Sequence, residues 1–316
     1  MSLSRLVSVS PGFFPEALFG QFGLTYCLAA SAWRLQRTRG TATISGGLGV
    51  SNSSAAVTSL ATEAAPVKTL GVDLSANPKK TGACVIDWSE QSVRLLERPV
   101  DDDVIVDVVD DCAMTGFDVP FGWPDDFVAA VLAHHAGKGW PPIEVPSPED
   151  RVPLRFRCTD RVLHDQGMRP LSVSTDRIGV ATMRGARILE LLDRRGLPID
   201  RSGTSGVVAE VYPAAALRSW GLPSTGYKGS KNRNECLQLM ALFADTCGSL
   251  STVVAACLEG GTDDDLDAVI CAFVAKALHD GDTTRPDSSQ LETARREGWI
   301  HVPTRSPAKI AELTHL

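Results

Sequence analysis

The sequence predicts an α/β protein built on a mixed sheet. Three observations carry that expectation. Three short strand-like runs follow one another closely after residue 66, two more appear later with helical stretches between them, and the last third of the chain is mostly helical in its periodicity. Of the 316 residues, 43% are hydrophobic and 22% charged, which excludes a disordered, collagen-like or small disulfide-framework chain.

Residues 67–74 form an apolar run ending near Asp73 and bounded by the turn-prone Ser75-Ala76-Asn77-Pro78. Residues 82–88 and 92–97 read as two further strands joined by a short polar turn, so the three predict an antiparallel meander. Residues 101–111 read as a helix with acids in its first turn, and residues 114–119 as a fourth strand stopped by Pro120 and Gly122. Residues 125–135 have helical spacing, residues 140–153 contain five prolines and read as loop, and residues 176–195 are helical up to Gly196. A fifth strand is expected at 206–212, ended by Pro213, with helices at about 213–219, 232–246, 251–258 and 264–279. The tail at 297–303 returns with the apolar pair Trp299 and Ile300. That order fits a ribonuclease-H-like mixed sheet, three antiparallel strands with later strands added parallel to the first, flanked by helices and carrying a helical insertion at about 121–205 between strands 4 and 5.

The first 66 residues have a different texture. They carry a net charge of +2, which leaves −9 on the remaining 250, and residues 41–66 are rich in Ser, Thr, Gly and Ala. We expect a poorly ordered N-terminal extension and linker at 1–66 and one domain at 67–316. The next methionine after Met1 is Met114, inside that domain, so a start near Val67 would have to use a codon other than Met.

The overall charge of −7 excludes a protein that coats nucleic acid by bulk charge. The uncharged stretch 17–33 is interrupted by Gly, Gln, Thr and Ser and is too short and polar to span a membrane, and its arginines follow it where a signal peptide would place them before. No membrane partner is expected. The eight cysteines are scattered without a C-x-x-C pair, which argues against a zinc site and for a reducing, cytoplasmic compartment.

Several acids stand where acids are expensive. Asp73 and Asp118 end the first and fourth strands, Glu210 lies within the fifth, and Asp264 and Asp267 open the last long helix on one shared face. Carboxylates converging from strand ends and a helix start would repel one another, and a hard divalent cation, Mg²⁺ or Mn²⁺, relieves that repulsion with oxygen ligands. Two such ions about 4 Å apart clamp the attacking and leaving oxygens of a phosphodiester. Each acid also has a plain structural reading: Asp263–Asp265 suit a helix N-terminus capped by Thr262, Asp73 suits a turn, and Glu210 suits a buried pair with an arginine.

The stretches Gly71-Val72-Asp73, Asp118-Val119-Pro120-Phe121-Gly122, Arg157-Cys158-Thr159-Asp160, Glu210-Val211-Tyr212-Pro213, Tyr227-Lys228, Asp264-Asp265-Leu266-Asp267-Ala268 and Gly298-Trp299 occur in this order. In them, residues 68–303 resemble the predicted ribonuclease-H-like nuclease family catalogued as domain of unknown function 429. More distantly, Asp264-x-x-Asp267-Ala is similar to the terminal motif of RuvC-type Holliday-junction resolvases. That resemblance implies metal binding by Asp73, Asp118, Asp264 and Asp267, with Asp118 shorter than the Glu usual at its position.

In the insertion, Arg157, Arg161 and His164 fall at i, i+4 and i+7, and Arg177, Arg184 and Arg187 follow a similar face. Such a strip beside an acidic site suits phosphate, as does the second cluster Lys228, Lys231 and Arg233. The competing reading pairs these arginines with Asp160, Asp165, Asp176 and Glu190 on solvated faces. His134-His135 ends a helix, where the dipole favours a cation.

The function expected is a metal-dependent nuclease acting on DNA or RNA. Catalytic and metal-binding roles fall to Asp73, Asp118, Asp264 and Asp267, with Glu210 as an additional acid and Arg157, Arg161 and Lys228 as phosphate contacts. Two alternatives share the fold: a catalytically inactive binding module that uses the insertion to hold a partner, and an actin-like phosphotransferase or ATPase, for which a second Gly-rich phosphate loop and an adenosine site are not evident. Nothing in the sequence fixes an oligomeric state.

Overall fold

The computed structural model describes residues 67–140 and 149–312. The expected extension at 1–66 and part of the proline-rich loop lie outside the described residues.

Strand β1 (Lys68–Asp73) is followed by β2 (Gly82–Asp87), β3 (Ser92–Leu95), helix α1 (Asp102–Val109) and β4 (Met114–Asp118). Helices α2 (Asp125–His135), α3 (Val152–Arg155), α4 (Cys158–Asp165) and α5 (Gly179–Arg194) fill the interval before β5 (Val208–Val211). Then come α6 (Pro213–Ser219), α7 (Arg233–Thr246), α8 (Ser251–Leu258), α9 (Asp263–His279), α10 (Leu291–Glu297), β6 (Ile300–His301) and α11 (Pro307–Ala311). The sheet order is β3-β2-β1-β4-β5-β6. β1, β2 and β3 form an antiparallel meander, while β4, β5 and β6 add parallel to β1 on its other side. This is the predicted mixed α/β sheet, and its arrangement is consistent with a ribonuclease-H-like one.

The pleat divides the strand residues between two apolar layers. Leu70 and Val72 of β1 and Phe117 of β4 pack with Ile105 of α1 and Ile188 and Leu192 of α5. On the opposite face, Cys84, Ile86, Met114, Ala209 and Val211 pack against α9, backed by Leu239 and Phe243 of α7 and Val254 of α8. α9 is the central helix, buried from Asp265 to Leu278. It lies directly on the strands because Gly71 and Gly116 carry no side chain there. A Cβ at Gly71 would overlap the Ala268 carbonyl oxygen and the Ala272 amide nitrogen, and one at Gly116 the Cys271 carbonyl oxygen. The Thr69 hydroxyl donates to the Ala272 carbonyl at 3.0 Å and closes the seam.

Several elements differ from expectation. Within the stretch read as loop, residues 149–151 make a 3₁₀ turn and Val152–Arg155 a helical turn. Pro153 is compatible with the latter because it sits at the start, where its missing N–H is not needed. α4 and α10 are short and polar on their outer faces, so no long apolar stripe announced them. The apolar pair at the tail is the opening of a sixth strand, with Ile300 opposite Glu210.

Candidate metal centre

Asp73 and Asp118 are direct partners in the parallel β1/β4 pair, so their side chains leave the sheet side by side at its carboxyl edge. Both lie on the α9 face. Asp267, one turn into α9, is fully buried against them. One carboxylate oxygen from each of the three lies within 4.8 Å of the others. Three residues 194 positions apart in the chain thus meet because two strand ends and one helix stand in direct contact.

The electrostatics follow from that crowding. Burial, with Asp118 and Asp267 adding, holds the Asp73 carboxyl well above its ordinary range, although Lys228 opposes the shift. Asp118 is pushed up to about 7, by burial first and then by Asp267 and Glu210, again against Lys228. Burial raises Asp267 as well. The Tyr227 hydroxyl donates to Asp267 Oδ1 at 2.8 Å, while the buried Oδ2 meets the Lys228 ammonium. Lys228 Nζ rests 2.6 Å from that oxygen and 3.8 Å from Asp118 Oδ2. Although more than half of the Lys228 side chain is exposed, desolvation in the crevice disfavours its charge, but Asp267, Asp118 and Asp73 hold it strongly protonated.

An all-oxygen donor set, three crowded carboxylates with the Lys228 ammonium as the cation among them, fits a hard divalent cation. Asp264 stands apart from the group of three. Three residues before Asp267, it lies one turn nearer the helix start, over Gly82 of β2, and its pKa is raised by burial and then by Asp263. It still contributes to the field that raises Asp73. Its neighbour Asp265 is a capping residue, as the structural reading of this segment had it: Thr262 and Asp265 satisfy each other's backbone N–H groups.

Glu210 is not one of the three clustered acids, although it borders the same cavity. Phe117 and Glu210 are register partners, so the pleat turns Glu210 toward the face opposite Asp118. There it accepts from Arg157 Nη2 at 2.6 Å, Arg157 Nη1 at 2.8 Å and the Phe121 amide at 2.9 Å. The alternative reading paired Glu210 with an unnamed arginine; that arginine is Arg157, and its expected phosphate role is corrected. It is 2% exposed, and its guanidinium donates to Glu210, both Asp160 oxygens and the Glu297 carbonyl. No donor is left for a substrate. Arg161 bonds the Phe156 carbonyl at 3.2 Å and does not line the pocket over the cluster. Arg184 ties α5 to the chain leaving β1, donating to the Ser75 and Val100 carbonyls, Thr81 and Asp102. Of the second basic cluster, Lys228 alone reaches the carboxylates: Lys231 is exposed and Arg233 bonds the Gly261 carbonyl.

Two functional side chains carried no assigned role in the sequence. Tyr227 fixes the Asp267 carboxylate, and Glu297 accepts from the first amides of α2 and α4 at 2.7 and 2.6 Å, anchoring two insertion helices. Adjacency to Lys228 was the available signal for Tyr227.

A cavity of about 230 Å³ opens over Asp73 and Asp118, also lined by Tyr212, Lys228 and the mutually paired Arg157, Asp160 and Glu210. Its apolar walls come from the strand exits (Leu74, Val119) and from the insertion (Pro170, Leu171, Ile178, Ala181). The insertion therefore walls the crevice.

Residues 71–291 match the model of the family described as protein of unknown function (DUF429). The chain belongs to the DUF429 family. The match runs from the β1 glycine that seats α9 to the first residue of α10, so all three clustered carboxylates of this DUF429 protein, and Lys228, fall within it. Comparison with curated proteins finds no match, and comparison with solved structures finds none. No helix among the described residues is long and apolar enough to cross a membrane.

Proposed function

We propose that this DUF429 protein is a metal-dependent nuclease that hydrolyses phosphodiester bonds in DNA or RNA. The observation that carries the reading is the convergence of Asp73, Asp118 and Asp267 within 4.8 Å at the carboxyl edge of the sheet. These three would hold Mg²⁺ or Mn²⁺, and Asp264 is the fourth carboxylate available to a second ion. When bound, such an ion polarises a phosphoryl oxygen and lowers the pKa of water.

The chain's own contributions are positional. The parallel β1/β4 register fixes Asp73 and Asp118 relative to one another, and the Tyr227 hydroxyl fixes the orientation of Asp267. Lys228 supplies a charged donor at the pocket mouth for a non-bridging phosphate oxygen. The apolar walls from Leu74, Val119 and the insertion keep bulk water from the carboxylates once a substrate fills the cavity. The seven described cysteines are all free, in keeping with a reducing, cytoplasmic setting.

The test is cleavage of a panel of branched DNA, single-stranded DNA, RNA–DNA hybrid and structured RNA with Mg²⁺ or Mn²⁺. Activity on at least one member is expected, with loss in Asp73→Asn and Asp267→Asn exceeding the roughly 10–100-fold typical of losing an outer-shell partner. Equal activity in the two variants, or no cleavage of any substrate by protein shown to bind the metal, rejects the nuclease reading.

A further inference from the structure

Three converging carboxylates need a positive charge among them. In this protein a side chain supplies it. Lys228 Nζ lies 2.6 Å from Asp267 Oδ2 and 3.8 Å from Asp118 Oδ2. The contact differs from a permanent buried ion pair in two respects. The Lys228 side chain is 54% exposed, whereas Arg157, which neutralises Glu210 on the other face, is 2% exposed. The ammonium is also shared between two carboxylates, as a point charge on a flexible stem, where Arg157 holds its partners in a fixed planar fork.

The backbone on either side of Lys228 is pinned. Tyr227 before it donates to Asp267 Oδ1 at 2.8 Å, and the Gly229 amide after it donates to Asp263 Oδ2 at 3.0 Å, in a left-handed conformation (φ +87°) suited to glycine. The main chain is therefore held at the helix start while the four-carbon stem of Lys228 can swing. Its ammonium contacts the carboxylate oxygens that a hard cation would use.

We propose that Lys228 is a tethered competitor for the divalent cation: its ammonium occupies the carboxylate cluster of the metal-free protein and is expelled to the pocket mouth when metal binds. The inference rests on the metal-dependent reading of the site and adds to it a device that couples metal loading to the release of a phosphate-binding cation. Metal affinity is lower than the three carboxylates alone would give. Lys228 becomes free to meet substrate only in the loaded protein.

Mn²⁺ titration of the full chain, followed by the electron paramagnetic resonance of free Mn²⁺, tests this in wild type, Lys228→Met and Lys228→Gln, with circular dichroism to verify folding. Both variants are expected to bind Mn²⁺ about fivefold or more tightly than wild type, the scale of coupling between two mutually exclusive occupants. In wild type, Mn²⁺ should also increase the modification of Lys228 by an amine-reactive reagent, read by peptide mass spectrometry. Equal or weaker Mn²⁺ binding in the folded variants, or a Lys228 no more reactive with Mn²⁺ than without, overturns the inference and leaves the nuclease reading intact. Failure of all three proteins to bind Mn²⁺ overturns both.

Discussion

Arg157 and Glu210 meet through a two-pronged ion pair, Nη2 to Oε1 at 2.6 Å and Nη1 to Oε2 at 2.8 Å, with both side chains 2% exposed. The pair joins the insertion to the fifth strand, and Asp160 completes it. Removing one member leaves an uncompensated buried charge, which costs about 3–5 kcal/mol. Arg157→Met should therefore lower unfolding free energy by that amount in urea. A loss below about 1 kcal/mol would show that the carboxylates simply take up protons.

Asp118 gives a pH dependence with a definite sign. Its folded pKa, pushed up to about 7, exceeds the roughly 3.9 of an unfolded aspartate. Its contribution to stability is therefore fully present below about pH 4 and is lost as pH rises through about 7. His301 acts in the opposite direction, since burial lowers it to about 4. The difference between wild type and Asp118→Asn isolates the carboxylate. In the presence of a chelator, Asp118→Asn should gain stability relative to wild type as pH rises from about 4 to 8, reaching on the order of 1–3 kcal/mol. A difference that stays flat across this range contradicts the crowding described for the cluster.

Tyr227→Phe removes one hydroxyl and leaves Asp267 Oδ1 without its donor. Loss of such an outer-shell partner lowers metal affinity about 10–100-fold. Mn²⁺ titration should show this with thermal stability reduced only modestly, by about 1–3 kcal/mol. An unchanged affinity would separate Tyr227 from the site.

Gly71→Ala tests the seam between β1 and α9. The added methyl would overlap the Ala268 carbonyl oxygen and the Ala272 amide nitrogen, both backbone atoms that cannot rotate away. We expect destabilisation of about 1–3 kcal/mol or more in thermal melts, together with weakened Mn²⁺ binding, because the strand carries Asp73 two residues on. Gly137→Ala, where a Cβ meets nothing within 4 Å but φ is +69°, is the control, with strain alone and no change in metal binding.

Most of the sheet was legible because β1 to β5 are apolar runs punctuated by Pro, Gly and Asn. Asp73, Asp118 and Asp267 were legible because an acid at a strand end or on a buried helix face has few structural uses. Glu210 and Arg157 were harder to place. A strand's parity relative to its neighbours depends on register, which decides that Glu210 shares a face with Phe117 and not with Asp118. An arginine spaced for an exposed strip reads the same whether it faces solvent or a buried carboxylate. Asp160 three residues on was the local hint, since it closes back on the Arg157 amide at 3.0 Å. Asp264 and Asp267 share a helix face, yet one turn of rise puts the first over β2 and the second over β1 and β4.

The bare contact of α9 on Gly71 and Gly116 sets how this site can change. Where helix and strand touch main chain to main chain, their separation is a caliper whose jaws are peptide units, and it does not depend on which Leu, Ile or Val fills the layers around it. Substitutions in either apolar layer can therefore alter the protein's durability without altering the gap between the two strand-borne aspartates and the helix-borne one. Variation at the pocket walls can change what enters that gap, with the frame beneath it left as it is.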